Sequence, residues 1–70
     1  VSNVVTLVVN GEPQEVPAGT TVAGVIAFIA PSTRGIAVAL NGGIVARSTW
    51  ESTPVAAGDH IEVLTAAQGG

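Results

Sequence analysis

The chain opens on an alternating run in which Val5, Leu7 and Val9 share one side of an extended segment and Val4, Thr6 and Val8 the other. This period of two predicts a first strand over 4–10. Asn10-Gly11, the dipeptide most tolerant of the positive φ angles of a tight hairpin turn, follows directly, and Gln14 to Val16 resumes as a short return strand. Pro13 fits the turn or the start of that strand, where its missing N–H costs no ladder bond. After Pro17-Ala18-Gly19 the period lengthens: Val22, Val25, Ile26 and Ile29 stand at i, i+3, i+4 and i+7, with Thr20 or Thr21 as N-cap. That predicts a helix ended by Pro31, with Phe28 off its main apolar stripe. The helix is intrinsically weak, because Gly24 and several β-branched residues each cost up to about 1 kcal/mol relative to Ala, so packing must hold it.

Beyond the helix, Ile36 to Leu40 predicts a third strand with Val38 and Leu40 on one side and Ala37 and Ala39 on the other. Asn41-Gly42-Gly43 turns the chain, Ile44-Val45 begins a short fourth strand, and Arg47 to Pro54 predicts an irregular helical turn. Gly58-Asp59 marks another turn before a last strand from His60 to Thr65, with Ile61 and Val63 facing in and Glu62 and Leu64 facing out. The first and last strands carry the strongest apolar alternation, which suits neighbours at a sheet centre, and since no hairpin joins them they can be parallel. The order describes one α+β domain over 1–65: a mixed sheet of four to five strands with one α-helix across one face. Ala66, Ala67, Gln68, Gly69 and Gly70 have little side-chain bulk to anchor them, so 66–70 is expected to be a flexible tail.

Composition narrows what such a domain can do. Seventy residues with no Cys and a single His, His60, can form neither a disulfide framework nor a zinc finger. Stability must therefore rest on an aliphatic core worth about 3–5 kcal/mol. Two Arg and no Lys against five acidic residues leave a net charge of −3 and no basic stripe for a phosphate backbone. The apolar run from Val22 to Ala30 is far shorter than the ~20 residues that span a bilayer, and the first positive side chain is Arg34, so neither a membrane span nor a secretory leader is expected. A cytoplasmic protein is the expectation.

Asn10, the stretch Pro17-Ala18-Gly19-Thr20-Thr21-Val22, Ala39-Leu40-Asn41, Ile44-Val45, Arg47, Trp50, Gly58-Asp59, Ile61 and Gly69-Gly70 together carry a resemblance over essentially the whole chain. In order and spacing they resemble the thiamine-biosynthesis sulfur-carrier family, ThiS, among the β-grasp (ubiquitin-like) sulfur carriers. The resemblance implies a β-grasp fold and a carrier rather than an enzyme. It further implies that a ThiF-type activating enzyme, consuming ATP and Mg, adenylates the carboxylate of Gly70. Sulfur from a donor protein then displaces AMP to give a thiocarboxylate, which a ThiG-type thiazole synthase consumes. Two departures stand out: Ala23, Gly24 and Ala27 occupy a helix face that is often charged in the family, and Glu62 stands where an apolar residue is common.

The tail residues suit that chemistry. A main-chain carboxyl with a reference pKa of roughly 3.3–3.7 is ionised at neutral pH and is a nucleophile toward a phosphate held by the partner. Gly69 and Gly70 lack a Cβ and thread a narrow channel, and five extended residues reach about 17–18 Å at most. With 9 Gly in the chain, a terminal pair carries meaning only together with the element order. Val8, Ala37, Ala39 and Leu64 on the outer face are expected to form an apolar patch near the tail, where the activating enzyme docks alongside Ala66, Ala67 and Gln68.

Other chemistry is weaker. Asp59 and His60 with Ser48 or Ser52 invite comparison with a hydrolase triad, but so short a chain hardly encloses the pocket such a triad needs. Glu12, Glu15 and Glu51 lack metal-ligand spacing and read as solvated surface, while Trp50 either packs over the sheet edge or, with Arg47, anchors a partner. Two alternatives to the thiazole carrier remain: a related carrier for molybdopterin or cysteine synthesis, and a binding module without sulfur chemistry.

Overall fold

A computed structural model describes residues 3–30 and 34–65. Among these residues the chain runs β1 (Val4–Val9), β2 (Glu12–Pro17), α1 (Val22–Ile29), β3 (Ile36–Leu40), β4 (Gly43–Val45), a 3-10 turn (Arg47–Ser52) and β5 (His60–Thr65). The strands form one mixed sheet in the order β2-β1-β5-β3-β4. β5 lies at its centre, parallel to β1 through the pairs Val8 with His60 and Val9 with Ile61, and antiparallel to β3 from Leu40 with Ile61 to Ile36 with Thr65.

Both hairpins close through Asn-Gly turns with positive φ at each central residue, 51° and 85° at Asn10-Gly11 and 51° and 88° at Asn41-Gly42. These are the angles of a type I′ turn, whose twist matches that of the strands it joins. The return strand β2 is longer than its apolar residues suggest and includes both Pro13 and Pro17. Its position at the sheet edge explains why. The hairpin pairs Val9 with Glu12, so alternate residues Pro13, Glu15 and Pro17 turn their backbone groups outward. Proline there removes N–H groups that would otherwise invite another strand, which blunts the edge.

The helix starts where Thr21 accepts a long 3.4 Å hydrogen bond from the Gly24 N–H, and Val22, Val25 and Ile26 are fully buried. Ile29 packs at the margin of the core and Phe28 is 66% exposed. The core joins this stripe to Leu7, Val9, Val16, Val38 and Ile61 from the sheet, together with Trp50 and Val55. Val55 arrives there because its segment is stitched to the start of the helix. Val22 N–H donates to Thr53 O at 2.8 Å and Val55 N–H to Thr20 O at 3.0 Å.

Gly24 has a reason that helix propensity does not supply. A Cβ at this position would lie 2.8 Å from Thr20 Cγ2, and Thr20 is pinned by its hydroxyl bond to Pro17 O. Gly24→Ala is therefore expected to fall short of the ~1 kcal/mol stabilisation an exposed helix would gain. Urea unfolding of the two proteins tests this; a full gain would mean that Thr20 yields freely.

Candidate functional site

The last strand leads to the segment in which the sequence places the reactive end. β5 is flanked by β1 at His60 and Ile61 and by β3 from Ile61 to Thr65, so the described chain ends on a strand at the centre of the sheet. The described residues end at Thr65; the expected flexible segment with Ala66, Ala67, Gln68, Gly69 and Gly70 lies outside them.

Cross-strand pairing defines the sheet face away from the helix. Leu64 pairs with Ala37 and Glu62 with Ala39, and Ala39 pairs on its other side with Ile44. Leu64 is 53% exposed and Ile44 72%, whereas Ala39 is buried between its register partners. A shallow depression of about 310 Å³ lies beside the end of β5, lined by Gly35, Ile36, Ala37, Leu64 and Thr65. Of the four outer-face residues singled out in the sequence, Ala37, Ala39 and Leu64 come together at this end. Val8 does not join them. It stands beside His60, four residues earlier on β5, or about 13 Å along the strand from Leu64, with Glu62 between. Ile44 takes its place in the patch. The signal for Ile44 was present in the sequence: a two-residue Asn41-Gly42 turn pairs Leu40 with Gly43 and hence Ala39 with Ile44.

Other candidate groups have structural work. Asp59 accepts hydrogen bonds from Ala56 N–H at 2.8 Å and Asn41 Nδ2 at 3.2 Å, which makes it a turn former. His60 stands on the outer face as the first residue of β5, its N–H donating to Asn41 Oδ1 at 2.9 Å. Trp50 is a core residue, 5% exposed, with Nε1 donating to Val45 O at 3.0 Å and the Arg47 guanidinium 4.9 Å above its ring. That stacking adds a cation–π contact to a packed indole. Among the described residues no cluster of His, Asp or Glu is arranged to hold a metal, and no helix is long and apolar enough to cross a membrane.

The model of the ThiS family matches residues 7–70, which takes in the second half of β1, the helix, every later strand and Gly69-Gly70. The chain belongs to the ThiS family. A crystal structure of a thiamine biosynthesis protein (ThiS) from Geobacter metallireducens superposes with a TM-score of 0.80 at 31% identity, over 93% of this chain and 99% of that one. A search of curated proteins finds no match. Membership in ThiS makes the mixed sheet with its single helix a β-grasp fold and gives the chain a sulfur-carrier role in thiamine biosynthesis. Members of ThiS are small carriers that work with activating and thiazole-forming enzymes.

Proposed function

We propose that the carboxylate of Gly70 is the group this ThiS member carries sulfur on. A carboxylate oxygen attacks the α-phosphorus of ATP in a ThiF-type enzyme and pyrophosphate leaves; sulfide-level sulfur delivered by a donor protein then attacks the acyl carbon of the adenylate as AMP leaves. The thiocarboxylate so formed is delivered to a ThiG-type thiazole synthase. ATP and Mg belong to the activating enzyme, and this chain supplies no catalytic side chain. The observation that most supports the reading is the family match running through Gly69-Gly70, on a chain whose last strand is the central one. The body is then a rigid grip, and the segment after Thr65 is the part handed over.

Incubation with ATP, an activating enzyme and a sulfur donor, followed by intact-mass measurement, tests this directly. An oxygen-for-sulfur exchange at the C-terminus is expected; a chain that stays unmodified with a partner active on another carrier would reject it.

For the docking surface, the patch of Leu64, Ala37, Ala39 and Ile44 is the surface proposed for the activating enzyme, since exposed apolar clusters mark partner sites. Val8, from its separate position beside His60, lies at the margin of that footprint. Leu64→Glu is expected to raise the apparent KM for the carrier at least about tenfold while leaving the unfolding midpoint nearly unchanged, because the side chain is half exposed. Adenylation kinetics at wild-type KM would move the docking site elsewhere.

A further inference from the structure

β5 is held at two points by asparagine side chains that reach it from opposite sides. Both asparagines sit at the first central position of a type I′ turn, at φ 51°. Asn41, in the hairpin of β3 and β4, accepts the His60 N–H through Oδ1 at 2.9 Å, at the start of the strand. Asn10, in the hairpin of β1 and β2, accepts the Val63 N–H through Oδ1 at 2.9 Å, across 53 residues of sequence.

The second contact completes a ladder that the backbone abandons. In a parallel pair, a residue that donates its N–H to one strand neighbour accepts, through its own carbonyl, from the N–H two residues further on. Asn10 donates to Ile61 O at 2.9 Å, so its main-chain carbonyl is the acceptor that regular pairing would offer Val63. At Asn10 the chain instead enters the left-handed region and leaves the sheet for the turn, and the side-chain carbonyl is what meets Val63. Past this bond, among the described residues, no strand pairs with the β1 side of β5; Leu64 and Thr65 pair with Ala37 and Ile36.

We infer that Asn10 is a positioning residue for the C-terminal tail: its side-chain carbonyl clamps Val63 and so sets the root from which the reactive end projects. The inference rests on the carrier reading for its functional consequence, while the clamp has a physical signature of its own. A tail that must place one carboxylate in a partner's site, with a reach of at most about 17–18 Å, gains from a fixed origin, since each extra loose residue at its base adds conformations that do not react.

Three variants test it. Asn10→Gly keeps the left-handed turn and removes the acceptor, Asn10→Asp keeps both turn and acceptor, and Asn41→Gly removes the equivalent support at the other end of the strand. In Asn10→Gly the Val63 amide is expected to exchange with solvent at least about fivefold faster, and kcat/KM for adenylation to fall about three- to tenfold. Asn10→Asp is expected to restore both. Asn41→Gly is expected to release His60 but not Val63, and to leave adenylation close to wild type despite losing two side-chain hydrogen bonds. Unchanged Val63 exchange in Asn10→Gly, release of Val63 by Asn41→Gly, or failure of Asn10→Asp to restore protection would overturn the clamp. Val63 release that leaves adenylation at wild-type kcat/KM would overturn its role in positioning. If the wild-type chain accepts no adenylate, the carrier reading fails instead, and the exchange data still decide whether Asn10 holds the root of the tail.

Discussion

Truncation at Gln68 is expected to abolish thiocarboxylate formation while leaving the domain folded. The core is closed by residues between Leu7 and Ile61, so no buried side chain is lost with Gly69 and Gly70. On the proposed carrier reading the lost end is the nucleophile together with the two residues able to pass through a tight channel, so the expected effect falls on chemistry rather than stability. A finer version is Gly70→Ala, which keeps the carboxylate and adds one Cβ. A misplacement of the reacting group by about 1 Å costs on the order of 10²-fold in rate, and a loss of that size is expected here. Mass spectrometry after a timed reaction, with circular dichroism to confirm the fold, reads both effects. Adenylation of the Gln68 end at a comparable rate would show that the diglycine is dispensable and that the proposed hand-over is wrong.

Ile61→Ala carries the largest expected effect on stability. Ile61 is fully buried on the central strand, where it pairs with both Val9 and Leu40 and faces the helix stripe of Val22, Val25 and Ile26. Replacing a buried Ile by Ala typically costs about 2–5 kcal/mol, and a domain this small has only about 3–5 kcal/mol of core stability. The chain has no Cys, and no metal cluster occurs among the described residues, so no cross-link compensates. The variant is expected to be largely unfolded at room temperature, or to melt without a cooperative transition. Ile26→Val provides the graded comparison, with a loss of about 0.5–1.5 kcal/mol. An Ile61→Ala protein that unfolds within about 0.5 kcal/mol of wild type would show that the sheet and helix do not share one continuous core.

Much of this architecture is local and was therefore legible in the sequence. The period-two runs at 4–10 and 60–65, the helical spacing from Val22 to Ile29 and the two Asn-Gly turns each depend on interactions among near neighbours. The element order and the inward set Leu7, Ile26, Val38 and Ile61 follow from those patterns, while the lack of a hairpin between the first and last strands allows the parallel pairing that the structure shows. The same residues made the ThiS resemblance visible, because a short chain leaves little room for other spacings.

What the sequence could not decide depends on contacts across the sheet. Alternation assigns a residue to a face but says nothing of its height along the strand. Alternation alone groups Val8 with Leu64, although the register of β1 on β5 sets them apart, whereas Ile44 is reached from the sequence only by carrying the register of the Asn41-Gly42 turn through a strand of three residues. Burial of Val55 and Trp50 required the irregular segment from 47 to 55 to fold back against the start of the helix. Gly24 reads as a helix defect until Thr20 is seen 2.8 Å from where its Cβ would stand. Asn10 reads as a turn residue, and only the pairing of β1 with β5, the first and last strands in chain order, brings its side chain to Val63. Periodicity is set by the backbone and its nearest neighbours, so sequence determined the elements; register and long-range hydrogen bonds are set by how those elements pack, so they belong to the tertiary structure.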